Sequence, residues 1–125
     1  MREFHEVFEL AHPGRPTPLI AELAEARQRI LDEEVREVAA AALGGDLVEI
    51  AHELADVVYA TYGTAISYGI DLDAVIAEIH KANMTKLGAD GRPIERDGKV
   101  QKSELYRPPN VAGVIDRQSK TTPDA

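Results

Sequence analysis

The chain has 125 residues and no cysteine, with 22 acidic against 14 basic side chains and a formal net charge of −8. A length of this order buries one modest core, so association with further copies would help it, and the lack of cysteine excludes disulfides and cysteine-based zinc sites and fits a reducing cytoplasm. The acidic balance disfavours general binding to nucleic-acid polymers, and no apolar run approaches the roughly 18 to 20 residues of a membrane span; the expectation is a soluble, cytoplasmic protein with no membrane partner, in which an anionic substrate needs a cation to bridge it.

Residues 2–11 can form a short first helix, ended by the run His12, Pro13, Gly14, Arg15, Pro16. Thr17 followed by Pro18 reads as a strong helix start, because threonine caps orphan amides and proline suits the first helical position. From there helix two is expected to reach Gly44 and Gly45. Asp46 with Glu49 three residues later opens helix three, which can continue to about Tyr68 before Gly69 stops it. Asp71 caps helix four, ending near Leu87. Beyond it, Asp97-Gly98 sits between two short segments that can pair as a hairpin. From Pro108 onward a mobile tail is expected, so the chain reads as one all-α domain over 1–107, four helices with a short C-terminal hairpin or loop extension, and a flexible tail over 108–125.

The chemistry lies on helices two and three. At about 100° per residue, Leu19, Leu23, Ala26, Ile30 and Ala41 share one sector of helix two, and Glu34 and Glu37 fall inside it, with Glu33 at its edge. On helix three, Leu47, Ile50, Leu54, Val58, Thr61 and Ala65 are expected to pack on one side, with Glu49, Glu53 and Asp56 on the other, followed by the small residues Ala60, Gly63 and Ser67. No lysine or arginine occurs from Val38 to His80, so these acids have no local counter-ions. Glu34 and Glu37 are one turn apart, as are Glu53 and Asp56, so each pair projects from one helix face. If the helices pack antiparallel, the pairs meet. A like-charge pair at about 5 Å and an effective dielectric of about 20 costs roughly 3 kcal/mol. Such a cluster calls for divalent cations, and oxygen-only ligands suit Mg²⁺ or Mn²⁺. Spacing alone leaves open the bland alternative, that both pairs are solvated charges on ordinary amphipathic helices.

On helix four, Asn83 and Lys86 continue the stripe of Leu72, Val75, Ile76 and Ile79 and are expected to face inward, where lysine can bind phosphate oxygens and asparagine a metal-bound water, a phosphate or a base edge. Lys99, Lys102, Tyr106 and Arg107 could close over a triphosphate, although surface loops routinely carry such residues. His5, His12, His52 and His80 have no paired metal spacing, and core or surface roles fit them best. Glu49 and His52 form a single Glu-x-x-His, where a di-iron carboxylate bundle needs two.

Glu33-Glu34-Val35-Arg36-Glu37 is E-E-x-x-E and Glu53-Leu54-Ala55-Asp56 is E-x-x-D; with Asn83-Met84-Thr85-Lys86-Leu87 on the next helix, this combination resembles the all-α nucleotide pyrophosphohydrolases, the superfamily of MazG, dimeric dUTPases and phosphoribosyl-ATP pyrophosphohydrolase. The resemblance spans roughly Phe4 to Pro109, and from His80 to Asn110 it is nearest the MazG-related, phosphoribosyl-ATP-pyrophosphohydrolase-like branch. It implies a helical core completed as a homodimer or homotetramer, and Mg²⁺ held by Glu34, Glu37, Glu53 and Asp56. Glu33 becomes the candidate to orient or deprotonate the attacking water, and Asn83, Lys86, Lys102, Tyr106 and Arg107 are the candidate substrate-binding residues. The implied reaction cleaves a nucleoside triphosphate to the monophosphate and pyrophosphate, with phosphoribosyl-ATP as the alternative substrate and a non-catalytic nucleotide-binding or interaction module as the alternative role.

Overall fold

The run from Ala21 to Leu43 contains neither glycine nor proline and is rich in alanine, leucine and glutamate, which lose little freedom on becoming helical. In the computed structural model, which describes residues 2–8 and 10–120, it forms the long helix α2 (Ala21–Gly44). Gly45 ends it in the left-handed conformation at φ 74°, its N–H donating to the Ala41 carbonyl. Asp46 then caps α3 (Leu47–Ser67), its carboxylate accepting from the Val48 N–H at 2.9 Å. So short a link returns α3 along α2, and the two helices pack on each other. A third helix, α1 (Arg2–Val7), packs on α3.

Helix α2 starts later than Thr17-Pro18 suggests, at Ala21 after an Ile20 cap with no side-chain hydrogen bond. The reason is that Thr17 is engaged elsewhere: its N–H donates to the Tyr68 carbonyl at 2.7 Å and its hydroxyl to the Arg15 carbonyl at 2.7 Å. The same close approach demands glycine at position 69, where φ is 72° and a Cβ would run into the Arg15 carbonyl.

Contacts divide the chain into two compact units, Met1–Ile70 and Asp71–Thr121. In the second, Asp71 caps α4 (Leu72–Met84), accepting from the Ala74 N–H, and α4 ends three residues short of the expected Leu87. Strands β1 (Ile94–Arg96) and β2 (Lys99–Gln101) pair antiparallel, with Ile94 opposite Gln101 and Arg96 opposite Lys99. Their two-residue turn has both central residues at positive φ, Asp97 at 53° and Gly98 at 76°, as the Asp-Gly signal anticipates.

Of the segment expected as a mobile tail, residues 121–125 lie outside the described residues, and the rest contains α5 (Val111–Lys120), packed on α4. Asn110 is its cap, accepting from the Gly113 N–H at 3.0 Å and donating its own N–H to Glu78 at 2.9 Å. At the other end the Gln118 amide brackets Asp71, accepting from its N–H and donating to its carbonyl. Val114, buried on the inner face, completes the anchoring. The fold is therefore all-α with a C-terminal hairpin, and five helices among the described residues. No helix among them is long and apolar enough to cross a membrane.

The buried apolar side chains are small: Ala41, Ala60 and Ala65 in the first unit, and Val75, Ala82 and Val114 in the second. Of the side of α3 expected to pack, Ala65 is buried and Ile50 and Thr61 are half-buried, but Leu47, Leu54 and Val58 are exposed by 78%, 51% and 53%. The helix turns its small residues Ala60, Gly63 and Ser67 inward, because α1 and α2 approach closely only where side chains are short. On α2 the shielded line runs through Ala24, Arg27, Leu31, Glu34, Val38 and Ala41, while Leu23 and Ile30 are exposed. Glu34, Glu53 and Asp56 thus lie on the shielded faces alongside Leu31 and Val38, while Leu23, Ile30, Leu54 and Val58 face outward.

Candidate metal centre on α2 and α3

Within the first unit the sequence of pairings along the two helices runs in opposite directions. Arg27 lies against Ala60 and Thr64, Glu34 and Glu37 against Glu53 and Asp56, and Ala40 and Ala41 line a cleft with Val48 and Glu49. The i, i+3 spacing of each acid pair then sets four carboxylates on one seam. One oxygen from each of Glu34, Glu37, Glu53 and Asp56 lies within 4.8 Å of the others. That spread is close to the distance of about 4 Å between opposite ligands of an octahedral Mg²⁺.

Two of these carboxylates are incompletely satisfied. Glu34 Oε2 and Glu53 Oε2 are shielded from solvent and accept no hydrogen bond, a costly arrangement for an anion unless a cation arrives. Burial pushes the Glu34 carboxyl above its ordinary value, followed by the charges of Glu37 and Asp56, a close carboxyl contact with Glu37 and the charge of Glu53. Glu53 is raised as well, by burial, then by contact with Glu37 and its charge and by Asp56, against a lowering by His52. Orphaned oxygens, mutual repulsion and an all-oxygen donor set fit a hard divalent cation.

Glu33 is exposed on α2 and is not one of the converging acids. His52 enters the surroundings of the site, its Nε2 lying 3.1 Å from Asp56 Oδ2, and it forms with Glu53 and Asp56 a second group able to hold a metal ion. The His52-x-x-x-Asp56 spacing, one helical turn, is the signal that a search for paired histidines passes over. Arg27 is the other residue that sequence reasoning missed. Its Nε donates to Thr64 Oγ1 at 3.1 Å and its Nη2 to the Ala60 carbonyl at 3.0 Å. Gly63 makes room for it: a Cβ there would lie 2.7 Å from Arg27 Nη2 and 3.3 Å from His5 Cε1. His5 is a core residue, 2% exposed, with Nε2 3.2 Å from Ser67 Oγ.

The remaining candidates belong to the second unit. Lys86 and Lys102 both place their ammonium groups near the Tyr106 ring, at 5.9 and 4.9 Å from its centroid. Asn83 is exposed near the end of α4. The Arg107 side chain is exposed, and its backbone N–H donates to Thr85 Oγ1 at 2.8 Å. Lys99 lies on the exposed hairpin. Ser103 ties the loop down, donating to the Leu87 carbonyl at 2.6 Å.

An all-α scaffold with four carboxylates converging between two antiparallel helices offers an oxygen donor set that could hold a divalent cation. The sequence matches the family described as Phosphoribosyl-ATP pyrophosphohydrolase over residues 1–83. The chain belongs to that family, part of the MazG-like NTP pyrophosphohydrolase superfamily, and so to the hydrolases that act on phosphoric anhydrides. Among curated proteins no individual relative matches. The match covers α1, α2, α3 and nearly all of α4, hence every acid of the cluster, and stops before the hairpin.

Proposed function

We propose that the protein is a Mg²⁺-dependent nucleoside triphosphate pyrophosphohydrolase, acting on an NTP or dNTP of the cytoplasmic pool. The observation that carries this reading is the convergence of Glu34, Glu37, Glu53 and Asp56 with two buried oxygens unpaired. These four would hold Mg²⁺, with Mn²⁺ as an alternative. A cation there would lower the pKa of the attacking water and offset charge on the triphosphate. Attack forms a bond from the water oxygen to the α-phosphorus and breaks its bond to the α,β-bridging oxygen, releasing nucleoside monophosphate and pyrophosphate. Glu33, beside the cluster in sequence, is assigned to orient that water and accept its proton.

Asn83, Lys86, Lys102, Tyr106 and Arg107 stand as the substrate-binding candidates of the second unit. Two ammonium groups share the Tyr106 ring, and neither is in an ion pair among the described residues. An anion such as a phosphate would complement their positive charge.

A second reading, phosphoribosyl-ATP as substrate, is favoured by the description of the matched family. Incubation with Mg²⁺ and a panel of ribo- and deoxyribonucleoside triphosphates plus phosphoribosyl-ATP, followed by product separation, decides between them. Monophosphate and pyrophosphate from the triphosphates support the first reading, and cleavage of phosphoribosyl-ATP alone the second. Orthophosphate in place of pyrophosphate contradicts attack at the α-phosphorus, and no turnover across the panel favours a binding module.

The open face of α3 supports a homodimer or homotetramer. With only small apolar side chains buried among the described residues, Leu47, Leu54 and Val58 are the natural material of a larger core. Leu54→Asp with Val58→Asp is expected to shift the protein to monomer in sedimentation or light scattering, where the unaltered chain sediments as a dimer or tetramer. A monomeric unaltered chain would rule this assembly out.

A further inference from the structure

We propose that the substrate lies along the α2–α3 seam in one direction, with its nucleoside in the cleft beside Ala40 and Val48 and its β- and γ-phosphates toward the guanidinium of Arg27. This rests on the pyrophosphohydrolase reading and adds to it a polarity and a residue. Three features follow one another along the seam, and their order carries the inference.

Nearest the Gly45 turn lies a cleft of about 440 Å³, lined by Glu37, Ala40, Ala41, Val48, Glu49, His52 and Glu53. Its volume falls in the range of about 300–1,000 Å³ common to small-molecule sites. Ala40, Ala41 and Val48 give it an apolar wall suited to a flat heterocycle and its sugar. Glu49 and His52 add hydrogen-bonding groups for N–H and hydroxyl donors. Three carboxylates and no lysine or arginine line it, so it repels the outer end of a polyphosphate. Glu37 and Glu53 belong to both the cleft and the metal cluster, so the one opens directly on the other. An α-phosphate held over the acids therefore has room on this side for the nucleoside attached to it.

On the far side of the acids is Arg27. Its anchor, the Ala60 carbonyl, belongs to the residue one turn beyond Asp56, about 6 Å along α3. The guanidinium is half-buried and bonded to two neutral acceptors, Thr64 Oγ1 and the Ala60 carbonyl. It takes part in none of the ion pairs among the described residues. In a chain with a large excess of acids, the cation that enters the seam is held by dipoles and leaves donors uncommitted. Arg29 and Arg36, the other basic residues of α2, are exposed, and α3 has no lysine or arginine. Burial lowers the Arg27 pKa, an electrostatic cost that an arriving anion would reverse. The pyrophosphate end of the substrate carries most of its charge and is the part that this cation would attract.

The test uses the full chain with Mg²⁺ and two product inhibitors, inorganic pyrophosphate and the nucleoside monophosphate of the best panel substrate. Arg27→Gln is expected to weaken inhibition by pyrophosphate about tenfold or more and to leave inhibition by the monophosphate within about twofold. Ala40→Leu, which fills the cleft, is expected to do the reverse. Arg27→Lys, which keeps the charge, should restore part of the pyrophosphate affinity, and it stands in for Arg27→Gln if circular dichroism shows that variant unfolded. Loss of both inhibitors to the same degree in a folded Arg27 variant would make Arg27 a structural tie and overturn the proposal. So would unchanged pyrophosphate inhibition. If the unaltered protein turns over no triphosphate, the functional reading fails; calorimetric binding of the same two compounds with Mg²⁺ still reads the polarity.

Discussion

Asp56→Asn and Glu37→Gln are each expected to cut pyrophosphate release by about a thousandfold, and at the same time to raise the melting temperature of the metal-free protein. Both effects come from one lost charge. Each substitution keeps the shape of the side chain and removes one negative charge from a set of four carboxylates that bring one oxygen each within 4.8 Å of the others. Metal-centred stabilisation of a transition state is worth several kcal/mol, and about 4 kcal/mol corresponds to roughly a thousandfold in rate. Without metal, the same carboxylate is a liability, since it repels two like charges across the seam and one on its own helix. The exposed contact of His52 with Asp56 is lost in Asp56→Asn, but an exposed ion pair contributes little. Rates with saturating Mg²⁺, circular dichroism, and thermal melts in a chelator measure the three consequences together. Undiminished turnover, or a metal-free variant that melts below the unaltered chain, would show that these carboxylates are not the repelling ligand set described above.

Much of this arrangement is legible in the sequence because it depends on local rules. The i, i+3 spacing of Glu34 with Glu37 and of Glu53 with Asp56 places each pair on one face whatever the helices do next. Gly45 and Asp46 then determine that α3 doubles back on α2. The Asp97-Gly98 turn is equally local. What depends on tertiary contacts is harder to see. Leu47, Leu54 and Val58 form an apolar stripe that periodicity alone assigns to the core, yet the small line of Ala60, Gly63 and Ser67 permits closer helix contact and takes the inside. Thr17 looks like a cap until its amide and hydroxyl are engaged by Tyr68 and Arg15. Arg27 gives no sequence signal, since its inward placement depends on the space left by Gly63 on another helix. Asn110 did carry one: a capping residue after two prolines, followed by Val111, Val114 and Ile115 at helical spacing, marks α5.

The metal-free protein is expected to melt at a lower temperature at about pH 8 than at about pH 5, and Mg²⁺ to remove most of that difference. Glu34 and Glu53 both have carboxyls raised above the ordinary value of 4.5, in each case first by burial and then by neighbouring acids. Between the unfolded value and the raised folded value, the folded chain binds more protons than the unfolded one. Stability therefore falls as pH rises through that window, and the loss is complete once both groups are ionised. A divalent cation acts in the opposite sense, because it stabilises the ionised forms and displaces the protons. Its stabilising effect should accordingly be largest at high pH. Metal at about a hundredfold its Kd adds about 2.7 kcal/mol, or roughly 10 °C for a chain of this size. General repulsion in a chain of net charge −8 has the same sign, so the decisive comparison is with Glu34→Gln. That variant removes one of the two raised carboxyls, and its metal-free melting temperature should change less with pH than that of the unaltered chain. Equal pH dependence in the two proteins would place the effect in the overall charge and remove the seam as its source.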